Sequence, residues 1–360
     1  MQVWLAPSRF APHLGGIETV VAQLAQELTA AGDQVLVVTH RHPNDLSAHE
    51  VIDGHPVRRL RFEAPSRQPR ASVQFVASVM SVQRELDAEA APDVVHIHGA
   101  ASQTLHLVRF ARRRAIPLIL TTHGEITGDA NALYVRSRYA RAAFRLGVRN
   151  ARALTAPSSG ALREAAVLAP DGAHKSYVVP NGIHPRTWSA AGAAPDSHLV
   201  MAWGRLEWQK GFDRLVAAWP HVRAQVPDAE LRVAGEGSQA GSLHAKADAG
   251  VHLIGRLDHH QLVQQLRGAR FAAVPSRVEA FGMSALEALA AGRLVLHAGL
   301  PAVCDVVDQY GRTADHDDPR LLAQALVDAL LTAPVTVPPS AVARFSWNAV
   351  TSAYRDLYGR

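Results

Sequence analysis

The chain has 360 residues, 48% of them apolar and 19% charged, which is enough for two domains of ordinary size with real cores. Its formal charge is +5 and Cys304 is its only cysteine, so a disulfide within the chain is excluded and a reducing, cytoplasmic setting fits. No stretch approaches the roughly 18 uninterrupted apolar residues of a spanning helix, and the N-terminus enters a strand without a basic flank, so neither anchor nor signal peptide is expected and any membrane contact would be peripheral.

After strand 2 to 6 comes a loop containing Gly15 and Gly16, then a helix from about 18 to 31. Two glycines before a helix can form a backbone-donor nest for a diphosphate, although most such pairs are only turns. Apolar strands follow at about 34 to 39, 56 to 61, 93 to 97, 117 to 122, 152 to 156 and 176 to 179. Helical segments at about 71 to 88, 101 to 112, 131 to 150 and 158 to 169 alternate with them. This alternation predicts an α/β fold with a doubly wound parallel sheet.

A second such sheet begins after Asn181-Gly182-Ile183-His184-Pro185, with an Ala- and Pro-rich linker to about 196. Strands at 198 to 203, 230 to 234, 251 to 255 and 270 to 274 alternate with helices, and a last helix runs from Trp347 to Tyr358. The expected division is residues 1–184, 185–345 and a closing helical segment 346–360. The loop after the first strand of this half carries Arg205 and Lys210 in Gly204-Arg205-Leu206-Glu207-Trp208-Gln209-Lys210-Gly211. Gly235-Glu236-Gly237 follows a strand and precedes a helix, but the third glycine of a dinucleotide fingerprint is misplaced and no acidic strand end follows about 20 residues on.

The stretch around which the rest is organised is Glu279-Ala280-Phe281-Gly282-Met283-Ser284-Ala285-Leu286-Glu287. Residues 270 to 275 read as a buried strand stopping at Pro275, and Met283 to Ala291 carries good helix formers. Gly282 lets backbone approach a ligand, and the N–H groups of 282 to 286 are the unpaired donors that open a helix and bind anions. Glu279 stands at the strand end, where α/β sheets place ligands, and Glu287 sits a turn inside the helix, suited to two vicinal hydroxyls.

On this signature the chain resembles the retaining, nucleotide-sugar-dependent glycosyltransferases of the GT-B fold, the large family called glycosyltransferase group 1, with family 4-like character. The resemblance implies two Rossmann-like domains facing across a cleft, an acceptor-binding first domain, a nucleotide-sugar-binding second domain, and a last helix crossing back onto the first. It implies that Glu279 touches the transferred sugar and that Glu287 holds the nucleotide ribose. Arg205 and Lys210 match the family's G-R-x-x-x-x-K-G pair and go to the diphosphate, where cations meet the charge of the leaving group. Gly15 and Gly16 match the loop laid over that diphosphate. Gly235, Gly237 and Arg256 fall near the nucleotide, with Phe281, Gly282, Met283 and Ser284 lining it. His123, in Thr121-Thr122-His123-Gly124-Glu125, matches the T-x-H-G position facing the sugar, whereas His96 and His98 read as packed in the core. After the signature helix the family's Gly-x-Pro-Val becomes Gly292-Arg293-Leu294-Val295, which bears on the donor sugar.

The donor substrate is thus a nucleotide diphosphate sugar, UDP- or GDP-linked, and no cofactor is required. Asp315-His316-Asp317-Asp318 has the letters of a metal motif but precedes a helix near Pro319, so it reads as capping and no essential metal is expected. Glycan, lipid-linked and small-molecule acceptors all remain open. The excess positive charge lies in residues 1–184, where Arg138, Arg141, Arg145, Arg149 and Arg152 follow one helical face, with further clusters at Arg109, Arg112, Arg113 and Arg114 and at Arg58, Arg59, Arg61, Arg67 and Arg70. Such a face suits an anionic membrane surface, a lipid phosphate or a phosphorylated glycan, and equally a solvated arginine face. No aromatic platform accompanies it, which argues against nucleic acid. The rival readings are a GT-B nucleotide-sugar epimerase or hydrolase, an NAD-dependent oxidoreductase, and a non-catalytic sugar-nucleotide or glycan-binding module.

Overall fold

The computed structural model describes residues 1–13, 15–63, 69–124, 126, 133–188, 195 and 197–359, the side chains of 69–74 and 133 apart. Leu14, Arg67, Glu125, the side chain of Arg70 and most of the linker lie outside the described residues. The chain forms two compact units, Met1–Gly182 with Trp347–Arg360, and Ile183–Ser346.

The strands of the first unit are β1 (Gln2–Pro7), β2 (Gln34–His40), β3 (His49–Ile52), β4 (His55–Leu60), β5 (Val94–His98), β6 (Leu118–Thr121), β7 (Ala153–Ala156) and β8 (Ser176–Val178). They lie in the order β3-β4-β2-β1-β5-β6-β7-β8. All pairs are parallel, as expected of a doubly wound sheet, except β3 with β4, an antiparallel edge strand that the sequence reading did not include. The missed strand returns through Asp53 and Gly54, both at positive φ. That is the left-handed pair a two-residue hairpin requires. The helix read over 131 to 150 is also two, Leu133–Arg136 and Arg138–Asn150. Ser137 separates them, its hydroxyl accepting from the Ala140 N–H at 3.1 Å as an N-cap.

Alternation along β1 builds two cores. Trp4 and Ala6 enter one with Phe110 and Phe144, and Val3 and Leu5 enter the other with Leu24 and Leu28. The helix Trp347–Gly359 completes the second core with Trp347, Val350, Tyr354, Leu357 and Tyr358, a helical spacing of apolar positions. Asp33, buried, lies 3.0 Å from both the Met1 amino group and Nε of Arg355 on that helix.

The second unit holds β9 (Leu199–Trp203), β10 (Glu230–Ala234), β11 (Val251–Leu253), β12 (Phe271–Val274), β13 (Val295–His297) and β14 (Gly311–Thr313). All pairs are parallel, in the order β11-β10-β9-β12-β13-β14. The order reverses between β9 and β12, a topological switch point where an open α/β sheet parts its loops to make a crevice. Among the described residues no helix is long and apolar enough to cross a membrane.

Candidate active site

The loops leaving β9 and β12 flank this switch point and carry the charged residues of the signature. They lie close because glycine leaves room. Gly211 has φ +68°, and a Cβ there would meet the Pro275 carbonyl oxygen at 2.2 Å. Gly235, φ +143°, would likewise meet the Gly204 carbonyl oxygen at 1.9 Å. The Arg277 N–H donates to the Gln209 carbonyl at 2.8 Å, tying the two loops together.

The consequence is an ion pair. Nζ of Lys210 lies 2.5 Å from Oε1 of Glu279, which also accepts from the Ser276 hydroxyl at 2.9 Å. Glu279 stands within the loop, beyond the strand end assigned from sequence, since β12 closes at Val274. The Trp203 indole N–H donates to Oε2 of Glu287 at 2.7 Å. Burial pushes the Glu287 carboxyl up to about 7, against the pull of the Trp203 hydrogen bond and the Lys210 charge. Arg205 is exposed, and its neighbour Glu207 binds the backbone and hydroxyl of Ser238, which holds that carboxyl below its usual range.

Gly282, at φ +100°, is the N-cap of the helix Met283–Ala290. Met283 and Ser284 are half-buried in its first turn, where backbone N–H groups lack helical partners. The Phe281 side chain packs in the core against Phe345, ring centroids 5.9 Å apart, which leaves only its backbone to meet a ligand. Arg256 is exposed beside Gly255, whose carbonyl accepts from the Gly235 N–H at 2.8 Å. Thus Arg205, Lys210, Gly235, Gly237, Arg256, Glu279, Phe281–Ser284 and Glu287 all lie on the loops and helix openings of one unit.

Gly15, Gly16 and His123 belong to the other unit. Gly15 is extended at φ −155° and Gly16 opens the helix Gly16–Ala30. Neither takes the left-handed region. His123 follows β6, with Nε2 3.1 Å from Nδ1 of His98. Burial lowers His123 to about 4 and His96 to about 3, and holds His98 well below the usual imidazole range.

Sequence reasoning missed Trp203, Ser276 and the His98 contact. Trp203 and Ser276 adjoin the motifs that were read, and His98 shares a register position with Thr121 on the neighbouring strand. Of the three arginine clusters, the one at Arg58 and Arg59 is buried and paired rather than on the surface. Arg59 is buried against Glu50 and the Ala11 carbonyl, and Arg58 pairs with Glu85 and Glu89. Arg141 and Arg145 donate to carbonyls of Tyr134, Val135 and Leu168, while Arg113 and Arg114 share Asp87. Of the acidic run, Asp318 caps the helix Pro319–Leu331 and Asp317 pairs with Arg214.

Two family models match the chain, Glycosyltransferase Family 4 over residues 14–187 and Glycosyl transferases group 1 over residues 197–332. It is 27% identical to a GDP-mannose:cellobiosyl-diphosphopolyprenol alpha-mannosyltransferase of Xanthomonas oryzae pv. oryzae, over 99% of this chain and 96% of that protein. It is 28% identical to a glycogen synthase of Mycobacterium tuberculosis, over 96% and 91%. Among solved structures, sucrose-phosphate synthase from Thermosynechococcus elongatus superposes with a TM-score of 0.77 at 19% identity, covering 99% of this chain and 98% of that one. The chain is therefore a glycosyltransferase of the GT-B fold, belonging to the group 1 and family 4 glycosyltransferases.

Proposed function

We propose that this chain moves a hexosyl group from a UDP- or GDP-sugar to an acceptor hydroxyl with retention at the anomeric carbon and without a metal ion. The observation that carries the reading is the 2.5 Å Lys210–Glu279 pair, set on loops at the switch point beside the half-buried Glu287. Lys210, with Arg205, meets the charge that collects on the departing diphosphate, which is work that a metal does in other transferases. Glu279 orients the sugar. Glu287 accepts from the ribose hydroxyls, and Gly16, whose Cβ position meets nothing within 4 Å, leaves space for a phosphate.

Retention follows from front-face displacement. The bond from the anomeric carbon to the diphosphate oxygen breaks, the acceptor oxygen bonds on the same face, and the departing oxygen takes the acceptor's proton. In this reading the second unit holds the nucleotide sugar and the first receives the acceptor. A lipid-linked glycan acceptor draws support from the mannosyltransferase relative, whose name gives it a polyprenol-linked substrate. Of the helical arginines Arg149 pairs with Asp171, whereas Arg141 and Arg145 donate to carbonyls, which cancel no charge, so this face keeps positive charge to offer an anionic surface or acceptor.

Calorimetric titration with UDP, GDP, ADP and dTDP, with and without EDTA, tests the site. One nucleotide is expected to bind, unaffected by EDTA and lost in Glu287→Ala. Failure of all four overturns the reading in favour of a binding module for another ligand. With the matching sugar donor, transfer that needs an acceptor separates a transferase from an epimerase or hydrolase.

A further inference from the structure

β4, β2 and β1 are neighbours in the sheet of the first unit and run parallel, so their C-terminal ends share one edge. An arginine follows each end: Arg9 two residues beyond β1, Arg41 directly after β2 and Arg61 directly after β4. The backbone N–H of Arg41 donates to the Leu60 carbonyl at 2.8 Å, which carries the pairing one step past His40 and sets Arg41 beside Arg61. Burial, chiefly, holds the His40 imidazole below its usual range, and the nearby His42 and Arg9 add to it, which places Arg9 at the same strand ends.

These arginines differ from Arg58 and Arg59 in their partners. Those two lie inside β4, buried and paired with carboxylates. Arg9 and Arg61 are exposed, and among the described residues no carboxylate forms an ion pair with Arg9, Arg41 or Arg61. Glu63 acts on His40 from this edge and still pairs with none of the three. The Arg41 Nε–H donates to the Leu46 carbonyl at 2.6 Å, which aims the guanidinium without cancelling its charge. Two imidazoles accompany the arginines. His13 and His42 stack with planes 4° apart and ring centroids at 6.0 Å, and Nε2 of His13 donates to the His42 carbonyl at 3.1 Å. A carbonyl only accepts, so Nδ1 is the His13 nitrogen left for a ligand. Guanidiniums brought to the C-terminal edge of an open α/β sheet, where such sheets bind ligands, suit the several oxygens of a phosphoryl group.

We propose that Arg9, Arg41 and Arg61, with His13 and His42, form a phosphoryl-binding subsite that anchors a phosphate or diphosphate ester carried by the acceptor. The proposal rests on the reading that the first unit receives the acceptor. It narrows that acceptor from any hydroxyl compound to a phosphorylated one, and it assigns the anchor to strand ends instead of the helical arginines. The phosphoryl group stays whole, since the bond formed is still to the acceptor hydroxyl.

Calorimetry of the full chain with inorganic pyrophosphate tests this, after the donor site has been filled with UDP or GDP, whichever binds. The nucleotide-saturated protein should bind pyrophosphate. Arg41→Gln and the double variant Arg9→Gln/Arg61→Gln should each weaken that binding at least about tenfold, with little change in nucleotide affinity. If Arg41→Gln disturbs the loop held at Leu46, the double variant decides, because its two side chains are exposed and pair with no carboxylate. No pyrophosphate bound to the saturated chain, or binding untouched by the substitutions, overturns the proposal. If neither nucleotide binds, the donor reading fails by itself, and pyrophosphate titration of the free chain and the same variants still decides this site. Displacement separates the sources of the phosphoryl group. Geranyl diphosphate acting at lower concentration than glucose 6-phosphate assigns a lipid-linked acceptor, and the reverse order assigns a sugar phosphate. Displacement by neither overturns the proposal. So does binding to phosphatidylglycerol vesicles that the variants abolish when pyrophosphate does not bind, which gives the edge to a membrane surface.

Discussion

A carboxyl pushed up to about 7 is part proton donor and part anion at neutral pH, and Glu287 is asked to accept from ribose hydroxyls. Hydroxyl donors favour its ionised form, so nucleotide binding should release protons near pH 7. Affinity should rise from pH 6 to 8 and level off above. Calorimetry in buffers of different ionisation heat measures the release directly, and Glu287→Gln should abolish both the release and the pH dependence. The same shift acts on folding with the opposite sense to an ordinary paired carboxylate. The native state holds the proton longer than the unfolded chain, so this residue's contribution to stability falls as pH rises from about 4.5 through 7. Lys210 gives a kinetic prediction. Lys210→Ala should lower single-turnover rates by about 10²–10³-fold, the scale of losing one preorganised charge at the leaving group; near-normal rates would withdraw the diphosphate assignment.

The elements are loops whose proximity depends on glycine, and this scale separates structural glycines from ligand glycines. Gly211→Ala should cost about 1–3 kcal/mol in urea unfolding, because φ +68° and the Pro275 carbonyl both oppose a Cβ. Gly16→Ala meets no atom and needs no left-handed backbone, so it should leave unfolding unchanged or slightly raise stability. Its loss should appear instead in nucleotide affinity. A destabilised Gly16→Ala protein with normal affinity would return that residue to a packing role. The alternation of strands and helices, the signature helix and its two glutamates were legible because each depends on local sequence. Trp203 under Glu287 and His98 beside His123 were not, because each is fixed by which strands are neighbours. The hairpin at Asp53-Gly54 was legible in principle and passed over, being short and polar. Arg58 and Arg59 were misread as surface for a related reason: a strand's charged residues are buried when partners such as Glu50 and Glu85 arrive from elsewhere.

In the whole molecule the buried imidazoles set the acid limit. His40, His96, His98, His106 and His123 in one unit, and His297 and His316 in the other, have native pKa values held down chiefly by burial. The unfolded chain binds protons on these residues first, so their stability is fully present above about pH 6.5 and is lost as pH falls toward 4. Thermal unfolding should be level between pH 7 and 8 and drop steeply from 6.5 to 5; a flat profile would mean that these rings are charged or solvated in the native state.

The first unit is discontinuous in sequence, interrupted by the whole of residues 183–346 and resumed at Trp347. During synthesis, the second unit is therefore available to fold before the first has its full complement of residues. At about 5–20 residues per second the interval is on the order of ten seconds or more. Throughout that interval Val3, Leu5 and His96 lack Tyr354 and Tyr358, their partners in the finished protein. The nascent chain at that stage should be a target for holdase chaperones, and moving the helix Trp347–Gly359 ahead of β1 by circular permutation should shorten the vulnerable period.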